Sequence, residues 1–148
     1  EYTLVNGRLN MGAGMEGYLG DASWQNYIVL IGKALNGCGN YSLVVRQQDR
    51  DNYLVAHFAW GCAGQVNSFS WAKMVNGKET PINGAGGGAW YASGGSDIRV
   101  EVENSTIRVF QDGARLLYFT DNTFPSGGVG LTSGGGGSID SFEVLSLP

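Results

Sequence analysis

Glycine sets the first limit on this chain, at 25 of 148 residues. The glycines occur singly or in short runs, without the three-residue period of a collagen helix. A glycine inside a helix costs about 1 kcal/mol relative to alanine. No long segment combines a helical apolar period with capping residues. What remains is a set of short alternating segments separated by Gly-rich turns, the pattern of an all-β sandwich. The length suits one domain, 1–148, with a two-layer core, and the hydrophobic fraction of 43% can fill it.

Two hairpins are legible. Val44–Gln48 and Tyr53–Trp60 flank the polar cluster Asp49-Arg50-Asp51-Asn52. With Arg50 and Asp51 at the tip, position 46 faces 55 and 48 faces 53. Period-two alternation then puts Leu43, Val45, Leu54, Ala56 and Phe58 on a core face. Val44, Arg46, Gln48, Tyr53, Val55 and His57 share the opposite face, and Trp60 falls on the core side at the strand end. The second hairpin, Asp97–Glu103 and Thr106–Gln111, turns at Asn104-Ser105. It aligns Ile98, Val100 and Val102 with Ile107 and Val109, and sets Glu101 opposite Arg108. Asp112-Gly113 turns the chain again, through Leu116 and Tyr118, into a three-stranded meander. Gly128–Leu131 and Ile139–Leu145 supply the last strands, and Asn83–Gly88 reads as a Gly-rich loop before Trp90-Tyr91.

Cys38 and Cys62 are the two cysteines. They can be a disulfide, two buried thiols or a redox pair. The first hairpin's register sets 38 opposite 63 and 39 opposite 62, which makes a bridge geometrically reasonable. A bridge would in turn imply a secreted or cell-surface protein. No basic or apolar leader opens the sequence, so any signal peptide is expected to be gone already or never present. The sequons Asn40-Tyr41-Ser42 and Asn104-Ser105-Thr106 matter only in a glycosylating pathway.

Charge and motif exclude several functions. Nine Lys and Arg never cluster, and the net charge is −4. A nucleic acid needs a dense basic stripe, so none is expected as partner. No apolar run approaches the roughly 18 residues of a membrane span, so no insertion is expected. The 83–88 loop lacks the Lys and Ser/Thr of a phosphate cradle and does not open a helix. There is no CxxC and no Cys/His cluster for zinc. His57, the sole histidine, has no Gly-x-Ser-x-Gly elbow to serve.

The polar face fits sugars better. Asp, Asn, Gln and Arg pair with vicinal hydroxyls, and aromatic faces take sugar C–H groups. Arg46, Gln48, Asp49, Tyr53 and His57 are the candidate hydroxyl-binding residues, with Trp71 and Trp90 as stacking platforms. Glycoside hydrolysis needs two carboxylates about 5–9.5 Å apart, and no such pair is identifiable.

Three patches in order carry a resemblance over nearly the whole chain. They are Ser23-Trp24-Gln25-Asn26-Tyr27; Leu43-Val44-Val45-Arg46 followed by Asn52-Tyr53; and Gly127-Gly128-Val129-Gly130-Leu131 followed by Ile139-Asp140-Ser141-Phe142-Glu143-Val144. Together the chain resembles the concanavalin A-like lectin/glucanase superfamily, in its laminin-G-like and fructan-binding carbohydrate-module branch. The resemblance implies an antiparallel two-sheet, jelly-roll-like β-sandwich that binds glycan or polysaccharide without cleaving it. Arg46 and Tyr53 resemble the Arg and aromatics beside ligand in the fructan-binding relatives. Catalytic members carry an alternating Glu-x-Asp-x-Glu strand. The nearest stretch here, Val100-Glu101-Val102-Glu103, lacks the central Asp. Many such sandwiches hold a structural Ca²⁺ and need no other cofactor, and Glu16, Asp21 and Asp140 are the candidate ligands. The alternative function is a structural or adhesive module that self-associates; a glycoside hydrolase comes third.

Overall fold

The computed structural model describes residues 3–5, 8–10, 15–34, 39–60, 68–88, 95–134 and 138–147. Every regular element among them is a strand: β1 Thr3–Val5, β2 Arg8–Asn10, β3 Met15–Leu19, β4 Tyr27–Ala34, β5 Gly39–Asp49, β6 Asn52–Trp60, β7 Ser68–Val75, β8 Lys78–Gly88, β9 Ser96–Glu103, β10 Thr106–Gln111, β11 Ala114–Thr120, β12 Gly128–Ser133, β13 Ser138–Ile139 and β14 Ser141–Ser146. They form a six-stranded sheet, β3-β12-β5-β6-β7-β8, and a five-stranded sheet, β11-β10-β9-β4-β14, with a small sheet β1-β2-β13 beside them. All pairings are antiparallel. The expected all-β sandwich is therefore the observed fold. No helix long and apolar enough to cross a membrane occurs among the described residues.

The core lies between the two large sheets. Leu43, Val45, Leu54, Ala56, Phe58, Phe69 and Trp71 face Val29, Ile31, Val100, Val102, Ile107 and Val109, all buried. These are alternate residues of each strand, as a half-buried antiparallel sheet requires. The meander has the expected register: Thr106 pairs with Glu103, Val109 with Val100 and Arg108 with Glu101.

One segment departs from expectation. Residues 83–88 are not a loop but the end of β8, an edge strand paired with β7. The turn that joins them is Asn76-Gly77, both with positive φ (50° and 76°). That is the Asn-Gly preference of a two-residue hairpin turn, and it was there to be read. A register shift between Ser70 and Ala72 then inserts a bulge over Ile82–Ala85, which breaks the alternation along β8.

Candidate functional site

The first hairpin departs from its expected register, and this moves its most prominent residue. Its tip is as expected. Asp49 pairs with Asn52, and the Asp49 carboxylate accepts the Asp51 N–H at 2.8 Å and the Asn52 side-chain amide at 2.9 Å. These bonds, led by the Asp51 N–H, hold the Asp49 carboxyl below its ordinary range. Behind the tip, Val45 pairs with Leu54 and Val44 with Val55, so residues 46–48 of β5 oppose Tyr53 alone. Such a bulge turns side chains out of alternation.

Arg46 is the residue so turned, with φ 56° and 2% exposure. Its backbone N–H donates to the Tyr27 hydroxyl at 2.9 Å. Its guanidinium donates to the carbonyls of Pro125 and Asn104 and lies 6.0 Å from the Tyr27 ring centroid. Arg46 thus ties two loops to the end of the sandwich. It does not face solvent, and the expectation that it contacts sugar hydroxyls is corrected.

Other expected residues also separate. Gln48 is exposed, but its amide donates to the carbonyl of Ser126 and it does not face Tyr53, which pairs with Met74. Trp71 is no platform. It is 1% exposed in the core, 5.3 Å from the ring of Phe119, with its indole N–H unpartnered among the described residues. Trp90, the Trp60 side chain and both cysteines lie outside the described residues, so the disulfide stays an expectation.

The calcium set does not assemble. The side chain of Glu16 lies outside the described residues. Asp21 is held in its own turn by Ser23, whose hydroxyl and N–H keep its carboxyl below the ordinary range. That turn lies at the Tyr27 end of β4, since the Gly127 N–H donates to the Trp24 carbonyl and Trp24 packs on Tyr27. Asp140 lies at the other end, its N–H donating to the Gly32 carbonyl. No cluster of three metal-binding side chains occurs among the described residues. The hydrolase stretch fares similarly: Arg108 pairs with both Glu101 (3.8 Å) and Glu103 (3.0 Å).

The outer face of the six-stranded sheet does hold a polar constellation. Cross-strand pairing lays Thr132, Ser42, His57, Ser70 and Gly86 in one row across five strands. The neighbouring row is Gly130, Val44, Val55, Ala72 and Pro81, and Tyr53, Met74 and Glu79 follow. Val44, Val55 and Ala72 are a small buried apolar strip with Tyr53 packed against it. At one end Tyr18 covers Gly130, where a Cβ would lie 2.4 Å from the Tyr18 ring; Tyr18 itself is 49% exposed.

His57 organises the polar row. Its Nδ1 shares a 2.8 Å hydrogen bond with the Ser42 hydroxyl, and its Nε2 contacts the Glu79 carboxylate. An ionised carboxylate can only accept, so Nε2 carries the proton and, in the neutral imidazole, Nδ1 accepts from Ser42. Beside this relay is an open depression of about 600 Å³, lined by His57, Ser70, Glu79 and the β8 bulge. A serine, a histidine and a carboxylate in line are the parts of an acyl-transfer site. Ser42, however, sits mid-sheet between β6 and β12, where the strand backbone is paired on both sides. An oxyanion needs preorganised donors, backbone or side-chain, aimed at it, and the paired backbone around Ser42 offers none. The constellation instead presents ordered acceptors, donors and an aromatic edge beside an open depression.

Of the expected ligand-binding residues that the structure describes, only His57 and Tyr53 belong to this face. Ser42 comes opposite His57 only through the bulge at 46–48, since the expected register sets Val44 there instead. Glu79 required recognising β8, which the glycines hid.

No family model matches the chain, and no curated protein matches it. Solved structures do match. The carbohydrate-binding module CBM66 from Bacillus subtilis superposes with a TM-score of 0.63 at 17% identity, covering 99% of this chain and 91% of that one. CG-16, a homodimeric agglutinin from chicken liver, gives 0.61 at 14% identity, covering 89% and 99%. A toad ovary galectin, solved with thio-digalactose, gives 0.61 at 15%, covering 90% and 99%. At these identities the likeness is one of fold alone, an antiparallel two-sheet β-sandwich, and it does not single out the fructan-binding branch.

Proposed function

We propose that this protein is a non-catalytic carbohydrate-binding module that holds a neutral glycan on the outer face of its six-stranded sheet. The Ser42–His57–Glu79 relay beside the open depression carries the reading. It offers a fixed imidazole, two further hydroxyls at Ser70 and Thr132, and the apolar edge of Tyr53, the mixture that sugar rings require. Fold neighbours that include a carbohydrate-binding module, an agglutinin and a galectin support it. A glycan ligand also suits a secreted or cell-surface setting, for which the cysteine pair is the sequence argument.

Each sugar hydroxyl exchanges a water bond for a protein bond at a net gain of about 0.5–1.5 kcal/mol. A handful of such bonds gives dissociation constants from micromolar to millimolar, about −8 to −4 kcal/mol. A glycan array followed by calorimetry on the hits is the test. Specific, saturable binding is expected, with His57→Ala and Glu79→Gln each weakening it about tenfold. An array without saturable hits defeats the reading, as do folded face variants that bind like the parent.

A further inference from the structure

The opposite side of the sandwich contains a second, smaller cavity. It lies on the outer face of the five-stranded sheet, has a volume of about 350 Å³, and is lined by Arg99, Phe110, Leu30, Asp97, Ser141 and Glu143 among others. Two irregularities border it. The β4–β9 register shifts between Ile31 and Ala34, with Lys33 at φ 51°, and the β10–β11 register shifts between Val109 and Phe110. Bulges of this kind are over-represented next to binding sites because they re-aim side chains. Gly32 keeps the cavity floor open: a Cβ there would lie 2.4 Å from the Ser141 hydroxyl.

Arg99 is the chemical centre. Its guanidinium carbon lies 4.1 Å from the Phe110 ring centroid, and its Nε is 3.4 Å from the Glu101 carboxylate. The aromatic face and the ion pair together fix the plane of the fork. Its Nε is buried without a hydrogen-bond partner among the described residues, while the side chain as a whole is 42% exposed. A fork held in one orientation matches a pair of adjacent oxygens. Glu143 is exposed, and Asp97 keeps 63% of its side chain exposed while accepting the Lys33 N–H and pairing with Lys33 at 3.9 Å. Two carboxylates at the rim repel an anion, and Arg99 repels a cation. A neutral ligand with vicinal hydroxyls satisfies both signs, its hydroxyls accepting from Arg99 and donating to the carboxylates. Leu30 supplies an apolar wall for its C–H groups.

We propose that this cavity is a second saccharide-binding site, so that one chain can bridge two glycans from opposite faces. The site is independent of the relay face, and the two are read by different nuclei. The test is a ¹H–¹⁵N titration of the whole chain with lactose, maltose, cellobiose and sucrose in turn, each to about 50 mM so that millimolar affinities register. At least one saccharide should shift the amides of Gly32, Gly113 and Ser141 and the Arg99 Nε–H, saturably. Ser141→Leu, which fills the cavity from an exposed position, should abolish those shifts and leave any at Ser70 and His57 unchanged. Arg99→Lys, which keeps the charge and loses the fork, should weaken binding about tenfold. Should Arg99→Lys fail to fold, Ser141→Leu decides alone. Shifts confined to the relay face overturn the second site and leave the proposed function standing. Shifts confined to the cavity support the second site against the relay face, and shifts at neither overturn both. Cavity shifts with sodium glucuronate but with no neutral saccharide also overturn it.

Discussion

The hairpins β5–β6 and β9–β10 begin alike. Both are closed by a short polar turn, both alternate apolar and polar residues, and each carries an arginine on its polar side. In β9–β10 the alternation is unbroken. Arg108 stays at the surface, at 32% exposure, paired with Glu101 and Glu103. In β5–β6 the bulge at 46–48 turns Arg46 inward, where carbonyls and an aromatic ring replace carboxylates as partners. One residue type thus does two jobs. Arg108 decorates a sheet; Arg46 closes the end of one.

The bulge has an identifiable counterpart in the loop that packs on it. Gly127 has φ 147°, and its N–H donates to the Trp24 carbonyl at 2.8 Å. A Cβ on Gly127 would lie 2.1 Å from the Arg46 carbonyl carbon. No rotamer relieves a clash with backbone, so the bulge or the loop must move. Gly127→Ala is therefore the largest expected effect, a loss of about 4 kcal/mol or failure to fold. Chemical denaturation measures it. Near-parental stability would mean that the bulge is soft and the contrast between the hairpins shallow.

Arg46→Met tests the same contrast from the side chain. Methionine fills much of the volume but leaves the carbonyls of Pro125 and Asn104 without their donor. The expected cost is about 3 kcal/mol, since a buried unsatisfied acceptor costs about 1–3 kcal/mol. If Arg46→Met instead folds at full stability and loses glycan affinity, Arg46 is a ligand residue and not a tie between loops.

Tyr27 sharpens the comparison by pH. Burial pushes its phenol up to about 12, partly opposed by the Arg46 N–H and the Arg46 charge. An unfolded tyrosine titrates near 10, so the unfolded chain releases this proton first as pH rises. Stability is then fully present below about pH 10 and falls across the window from 10 to 12, by about 2–3 kcal/mol at its end. Tyr27→Phe should remove that slope and cost about 1 kcal/mol at neutral pH, through the Arg46 N–H left unpaired. Tyr41, also raised by burial, adds a residual fall of the same sign. Parallel pH profiles for parent and variant would show that Tyr27 is not the titrating group.

What could be read in advance follows local rules, and what could not depends on contacts between distant strands. The core faces of both hairpins obeyed alternation, so Leu43, Val45, Leu54 and Val100 were assignable. Arg46 was not. Its inward turn requires the Tyr27 hydroxyl, the Gly127 backbone and the Asn104 carbonyl, from three segments far away in sequence. Trp71 was misplaced because its strand was never recognised, and β8 was hidden by glycines that lower strand propensity without preventing an edge strand. Of the relay face, Tyr53 and His57 were visible. Glu79 arrives only through the β7–β8 turn. The second cavity left no trace in motif, because it arises where two register shifts lie side by side.

The smallest expected effect is Arg108→Ala, and it completes the comparison. Arg108 lies on β10 opposite Glu101, 3.8 Å from that carboxylate and 3.0 Å from Glu103. Its partners are 22% and 48% exposed, so water screens both pairs. Removing the arginine leaves two carboxylates that solvate in place and no buried acceptor. The cost should therefore stay below about 1 kcal/mol, the range of exposed ion pairs. It should shrink further at high salt, where exposed charges are screened over a few ångströms. Arg46→Met should show little salt dependence, because its partners are neutral and its surroundings exclude ions. Thermal unfolding of the two variants at low and high salt gives the contrast directly. Equal losses, or a stronger salt response at position 46, would mean that the bulge leaves its arginine no better sheltered than the regular hairpin leaves its own.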